Sequence, residues 1–362
     1  DMYLPALPLL VASWDSTPAT INLTLVGFFI SFSVALLVYG PLSDRYGRKP
    51  VLLAGISLYI LACLGCAWAN SATALIIGRV AQGLGAASAA TLSLAMTKDY
   101  FDGAERVQAM TKMAIIISLA PMLAPVLGGL LMQVMSWPAI FYTQAMLGAL
   151  AIWGVRQLTE PVARSDRSLR DVIHSYGRLM LNARFIGLCF LIALGMTPLF
   201  CYIGGSSFIF ITHFGLSEQE FSYFFAFNSA ALMSGFYLCS KLLKHMSALQ
   251  VICLGYAGIC MSAILLCLSA QGGPWSIAWP MAAMTMSLGM SRPPSNHFLL
   301  EQVRSDAGSA ASLIMFTYFV GGAVAMWFIA LPWANKVLTL GMVGVASSLC
   351  VLLVLPRAAK MQ

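Results

Sequence analysis

The stretch Gly40-Pro-Leu-Ser-Asp-Arg-Tyr-Gly-Arg-Lys-Pro50 sets three basic residues and one acid between two long apolar runs, residues 19–40 and 50–69. A short connection is its expected form. Gly47 permits a tight turn there, and Asp44, Arg45 and Arg48 can pair with the ends of the flanking helices. Each flanking run approaches the roughly 20 residues that a helix needs to cross a bilayer.

The same alternation extends along the chain. Of 362 residues, 60% are hydrophobic and 9% charged, whereas a soluble domain carries about a quarter charged residues. Water is therefore not the main solvent. Pro, Gly and charge clusters delimit one partial and eleven complete spans, near 1–12, 19–40, 50–69, 72–97, 107–135, 138–157, 185–206, 217–240, 247–270, 274–296, 307–331 and 334–356. Arg45, Arg48 and Lys49 follow span 2, Lys98 and Arg106 span 4, Lys241 and Lys244 span 8, Arg292 and Arg304 bracket the turn after span 10, and Arg357 and Lys360 end the chain. The odd-numbered connections hold only Lys336. Positive charge marks the cytoplasmic side, so the even connections and both termini are expected there.

The most hydrophilic stretch, Gln157 to Arg184, carries Arg164, Arg167, Arg170 and Arg178 among Glu160, Asp166 and Asp171. It reads as a solvated linker with a short surface helix, and it divides the spans six and six. The expected plan is an all-α polytopic membrane protein of twelve spans: a first half 1–156, a linker 157–184 and a second half 185–362. That is the layout of a transporter built from parallel repeats. Twelve residues make only about 18 Å of helix against a hydrocarbon core of about 30 Å. Span 1 is thus expected to lack its cytoplasmic part, with Asp1 near the membrane midplane.

Nine cysteines do not imply a disulfide framework, because Cys63, Cys66, Cys189, Cys201, Cys253, Cys260, Cys267 and Cys350 fall inside apolar runs and read as small hydrophobes. Cys63-x-x-Cys66 matches a redox motif in spacing only. The net charge of +7 does not point to nucleic acid, since the basic residues lie between spans. His174, His213, His245 and His297 have no metal-site spacing. The chain contains no His-Glu-x-x-His, Gly-x-Ser-x-Gly or phosphate-binding Gly-rich Lys loop, and no enzyme constellation is expected.

Within the spans the clear ionisable residues are Asp1 and Arg79. A charge at the bilayer centre costs at least about 2.5 kcal/mol, so such groups pair, face a cavity or carry ions. An ion pair that only fixes helix packing is the alternative for both. A carboxylate suits proton coupling, since changing solvation switches its protonation. Arg79 acts as a fixed charge that organises water, Gln82 and the Asp1 side of the cavity. Phe200, Tyr202, Phe208, Phe210, Tyr223, Phe224, Phe225 and Phe227 offer an aromatic wall in the second half, with lipid contact and packing as the rival reading.

The tract 40–50 resembles the signature loop between the second and third spans of the major facilitator superfamily. Arg79-Val-Ala-Gln-Gly83 resembles its fourth-span motif, and Ala120-Pro-Met-Leu-Ala-Pro-Val-Leu-Gly-Gly129 resembles the fifth-span motif of its drug/proton antiporters, with Pro121, Pro125, Gly128 and Gly129 in place. Asp1-Met-Tyr-Leu-Pro-Ala-Leu-Pro8 looks like the first-span signature of the Bcr/CflA branch, of bicyclomycin and chloramphenicol resistance type and related to the exporter MdfA. The resemblance runs the length of the chain. It implies alternating access in the bacterial inner membrane, proton antiport, no bound cofactor and a monomer. Asp1 and Arg79 match the coupling positions. Met113, Ile117 and Pro121 match cavity positions on span 5, and Leu199, Phe200 and Ile203, with neighbouring Tyr202 and with Tyr3, complete the expected substrate wall. Gly40, Asp44, Arg45, Gly47 and Arg48 match the gate motif, whose second-half copy is eroded to Ser240-Lys-Leu-Leu-Lys-His245. The implied substrates are small amphiphilic drugs of phenicol or bicyclomycin type. A native metabolite such as an amino acid, peptide or siderophore is the alternative, and a non-transporting sensor the second.

Overall fold

The computed structural model of the chain describes residues 2–160, 169–303 and 307–360; Asp1, Arg164, Asp166, Arg167 and Arg304 lie outside the described residues. Among the described residues the fold is all helix. A single 3-10 turn, Leu4–Ala6, leads into α1 (Leu7–Ser13). The first half continues with α2 (Pro18–Tyr46), α3 (Arg48–Ala67), α4 (Ala72–Tyr100), α5 (Gly103–Val134) and α6 (Pro138–Gln157). The linker contributes α7 (Leu169–Leu181). Span 7 is split into α8 (Ala183–Leu194) and α9 (Thr197–Ser207), and α10 (Glu218–Leu242), α11 (Ala248–Leu268), α12 (Pro274–Glu301), α13 (Ala307–Ala330) and α14 (Lys336–Lys360) follow.

Helix starts fall where side chains can satisfy the free N–H groups of a first turn. Thr17 accepts from Thr20 N at 3.1 Å and Ser71 from Ala74 N at 3.3 Å. Ser217 and Ser247 form reciprocal capping boxes with Glu220 and Gln250. These caps sit in the connections and satisfy first-turn N–H groups that have no partner within the helix.

Nine helical segments among the described residues are long and apolar enough to cross a bilayer. The remaining crossings are the short Leu4–Ser13 and the more polar α10 and α12. Outer faces expose large apolar side chains such as Leu61, Ile77, Leu150 and Leu268, and Trp68, Trp153, Trp275 and Trp279 stand exposed toward helix ends. In lipid the former face acyl chains and the latter the headgroup level.

Within the first half α2 and α3 pack on α4, and α6 on α3; in the second, α11 packs on α12 and α14, and α10 on α12. Two helix pairs join the halves: α2 with α13, and α5 with α10. Twelve crossings in two six-helix halves is the architecture.

The tract 40–50 is the short connection with a turn at Gly47 that the sequence suggests, and it is shorter than the expected span ends at residues 40 and 50 imply. Helix α2 runs through Gly40 and Pro41 to Tyr46, α3 begins at Arg48, and Gly47 alone separates them with φ +99°. That backbone angle favours glycine. Pro41 brings no N–H to the Leu37 carbonyl four residues back; the Tyr176 hydroxyl of α7 donates to that carbonyl at 3.1 Å. An external donor thus lets the helix pass its proline. α12 likewise runs beyond its expected end, so Arg292 and His297 both lie inside a helix.

Candidate transport site

Arg79 is buried in the first half, at 6% exposure. Its Nη1 donates to Gln82 Oε1, one turn along the same helix. Gln82 Nε2 in turn donates to Gln144 Oε1 of α6 at 2.7 Å and lies 3.0 Å from Cys63 Sγ of α3. The guanidinium carbon stands 4.3 Å from the ring centre of Phe28 and 5.3 Å from that of Tyr3. No carboxylate among the described residues faces it, and its Nε has no hydrogen-bond partner. Aromatic faces offer a desolvated cation partial compensation, on the order of 2 kcal/mol.

Tyr3 is 1% exposed; its hydroxyl meets Thr24 Oγ1 at 3.3 Å and its ring lies 5.4 Å from Phe141. Asp1 lies outside the described residues. The fifth-span motif places Gly128 so close to Met2 that a Cβ there would run into the Met2 carbonyl oxygen, and a Cβ on Gly129 would meet Ser222 and the Glu218 carbonyl of α10. These small residues let α5 approach the first span and the opposite half together.

The second partner helix of Arg79's surroundings is α2, and beyond it lies an aromatic cluster that joins the halves. Phe28 stacks on Phe32, and Phe32 and Phe29 contact Phe319 of α13 at 5.1 and 5.6 Å. Phe200 completes the cluster, 5.7 Å from Phe29 and 6.1 Å from Phe319. Phe200 is thereby brought to the interface, next to the rings that lead to Arg79. Tyr202 is buried and stacks on Phe225 within the second half. Leu199 lies beside Ile259, Met281 and Leu288, and Ile203 packs partly buried against the main core. On α5, Met113 Sδ accepts from Thr97 Oγ1 at 3.0 Å, and Ile117 is 63% exposed. Met113, Ile117 and Leu199 thus stand apart from the Arg79 cluster.

The interface differs between its two ends. At the end away from the basic connections, Asn22 Nδ2 donates to the Gly204 carbonyl at 2.9 Å and the Met326 carbonyl at 3.0 Å, both in the second half. Gln133 and Gln219 bond side chain to side chain there, while near the middle of α5 and α10 Ser229 Oγ stands 3.2 Å from the Pro121 carbonyl. At the basic end α2 and α13 part around a cavity of about 490 Å3 lined by Leu36, Gly40, Asp44, Thr91, Ser312 and Met315.

Gate-motif side chains rim this cavity. Arg48 bridges Asp44 at 2.6 Å, Asp99 at 3.0 Å and Ser43 Oγ at 2.6 Å, all in the first half. Arg45 ends α2, its guanidinium 5.4 Å from the Tyr46 ring centre. Glu160 of the linker accepts from Arg48 N at 2.6 Å and Lys49 N at 3.0 Å, capping α3. Asn22, Phe28, Phe29, Phe32, Phe319 and Tyr176 were not singled out by motif or charge. Asn22 carried a signal nonetheless, since an amide inside an apolar run needs partners.

Comparison with known proteins agrees with this architecture. The model of the Major Facilitator Superfamily matches residues 1–326. An uncharacterized MFS-type transporter, YdgK of Bacillus subtilis, is 27% identical over 336 residues, 90% of this chain and 83% of the relative. A bicyclomycin resistance protein homolog of Haemophilus influenzae is 26% identical over 90% of this chain and 83% of the relative. The multidrug resistance protein MdtL of Klebsiella pneumoniae is 25% identical over 91% and 84%. Among solved structures, a D-xylose-proton symporter superposes with a TM-score of 0.77 at 14% identity, covering 97% of this chain and 92% of that one. The nucleoside transporter NupG gives 0.78 at 14%, covering 99% and 94%; at such identity the likeness speaks for the fold alone. Helix order, motif residues and family match converge, and the chain belongs to the Major Facilitator Superfamily.

Proposed function

We propose that this membrane transporter exports small amphiphilic molecules in exchange for protons, by alternating access between its two halves, 1–156 and 185–362. The carrying observation is the asymmetry of the interface, bonded at one end by Asn22 and by the Gln133–Gln219 pair and parted around a cavity of about 490 Å3 at the basic end. That volume suits a drug-sized ligand. With the basic connections in the cytoplasm of a bacterium, on the inner membrane, this is the cytoplasm-facing state.

Relatives named for bicyclomycin and multidrug resistance favour amphiphilic drugs as substrates. Arg79, which no carboxylate among the described residues faces, lies beside Tyr3 and Phe28 and suits neutral or zwitterionic molecules with a polar group, and it disfavours strongly cationic ones. The proton is the coupling ion and no organic cofactor takes part. Asp1 is the proton carrier: its protonation from outside weakens substrate binding, and its deprotonation inside restores it. Such a ligand drives the cycle only through different affinity for the two states. A single chain carries out the cycle as a monomer.

The test is chloramphenicol-driven proton movement in proteoliposomes with an internal pH dye, comparing the intact chain, Asp1→Asn and Arg79→Ala. Coupled flux in the intact chain, lost in Asp1→Asn with drug binding kept, supports the assignment. Absence of flux across a broad drug panel overturns it in favour of a metabolite exporter or a sensor.

A further inference from the structure

Three of the bonds that cross between the halves end on backbone carbonyls that a helix has released. Proline has no N–H, so Pro41 cannot serve the Leu37 carbonyl and Pro125 cannot serve the Pro121 carbonyl. The first is taken by Tyr176 Oη at 3.1 Å, and the second shares the Ser229 hydroxyl, 3.2 Å away, with the Phe225 carbonyl of that serine's own helix at 3.0 Å. The third release comes without proline. α9 ends in a π-helical turn, Phe208–His213, and the Phe208 N–H bonds Gly205 O instead of the carbonyl four residues back. That carbonyl, Gly204, receives Asn22 Nδ2 at 2.9 Å, and the same amide also reaches the Met326 carbonyl of unbroken α13 at 3.0 Å.

Two donors come from the half opposite their acceptors, and the third from the linker helix α7. Ser229 belongs to α10 and reaches α5, and Asn22 of α2 reaches α9. Tyr176 sits on α7, which packs against α8 and α13 of the second half, with neighbouring Leu179 in the same buried core as Phe185 and Leu299. Its hydroxyl crosses the rim of the basic-end cavity to α2.

We propose that these released carbonyls are the docking points of the two halves, and that Tyr176, Ser229 and Asn22 are positioning residues that set which end is open. A carbonyl satisfied inside its own helix gains little from a second donor, whereas a buried orphan gains a full partner. Release therefore makes a helix break selective for the opposing half. Tyr176 restrains the basic end, Asn22 holds the other end closed, and Ser229 supports the closed side from the middle of the α5–α10 seam. The inference rests on the alternating-access reading and goes beyond it by naming the bonds that shift the equilibrium.

The test is a pair of double-mutant cycles in the full chain reconstituted in liposomes. The reporter is the rate at which a maleimide labels Ser309→Cys, on the cavity wall, above the labelling of the parent. Tyr176→Phe is expected to raise the rate and Ser229→Ala to lower it, each by roughly two- to tenfold, the net value of one hydrogen bond. In the Pro41→Ala background Tyr176→Phe changes the rate less than about twofold, and in Pro125→Ala the same holds for Ser229→Ala. Effects of equal size with and without the proline, in both cycles, overturn the proposal. Drug flux measured on the same liposomes separates the two readings: intact flux with additive cycles sinks only the docking proposal, and absent flux with coupled cycles sinks only transport.

Discussion

The guanidinium of Arg79 sits 4.3 Å above the ring centre of Phe28, one helix away on α2. The same α2 segment carries Phe29 and Phe32 to Phe319 of the opposite half. A buried charge and the seam between the halves are thus in contact through one run of rings. Phe28→Leu keeps an apolar side chain and removes the ring quadrupole. It should cost about 0.5–2 kcal/mol, read as a lower thermal midpoint in detergent. An unchanged midpoint would mean that Arg79 draws its compensation from elsewhere.

Close approach at the fifth-span motif makes a second prediction. Gly128→Ala sets a methyl against the Met2 carbonyl, whereas a Cβ on Gly154 of α6 meets nothing within 4 Å. Gly128→Ala should therefore destabilise by about 1–3 kcal/mol, the cost of overpacking. Gly154→Ala should be neutral or stabilising by up to about 1 kcal/mol, since it removes backbone freedom at no steric cost. Thermal unfolding of the two variants side by side distinguishes them, and equal losses would contradict the close approach of α5 to the first span.

The bonded end of the interface can be locked. Gln133 and Gln219 touch side chain to side chain across α5 and α10. A Gln133→Cys, Gln219→Cys double variant should form a disulfide under mild oxidation, shown by a shift after proteolysis within the linker and reversed by reductant. Flux should stop when it forms and return on reduction. Full flux in the oxidised protein would show that this end need not open.

Glu160 caps α3 by accepting from the Arg48 and Lys49 amides. Glu160→Gln keeps the shape and removes the charge, so the expected loss is the charge–dipole part, about 0.3–1 kcal/mol at low ionic strength. Because salt screens partly exposed charges, the difference in thermal midpoint should shrink in 1 M salt (about a 3 Å Debye length). A difference that salt leaves unchanged would assign the effect to packing.

Span positions were legible from apolar runs and from the side on which Lys and Arg fall, because lipid penalises any other arrangement. Arg79 stood out for the same reason. What composition could not show was how far α2 extends. Gly40 and Pro41 read as helix breakers, yet the Leu37 carbonyl that Pro41 leaves free has a donor from Tyr176, more than a hundred residues away in sequence. Such a bond is invisible to any local pattern. Phe28, Phe29, Phe32 and Phe319 were likewise indistinguishable from lipid-facing aromatics, since their role depends on which helix lies opposite. Arg292 read as bracketing the turn after span 10; α12 runs on to Glu301, leaving Arg292 half-buried inside the helix, and the Tyr318 hydroxyl meets Asn296 Oδ1 of that helix at 2.7 Å.

The acceptors of Asn22, Ser229 and Tyr176 are all main-chain oxygens. A main-chain acceptor survives almost any replacement of the side chain attached to it. Residue 37 can therefore drift through evolution while the bond it accepts stays intact, whereas residue 204 is held to glycine because a Cβ there would crowd Met326 and the Asn22 amide, and Met326 is fixed by its burial. Methods that infer contacts from paired substitutions should accordingly find little signal at these crossings, although they hold the two halves together.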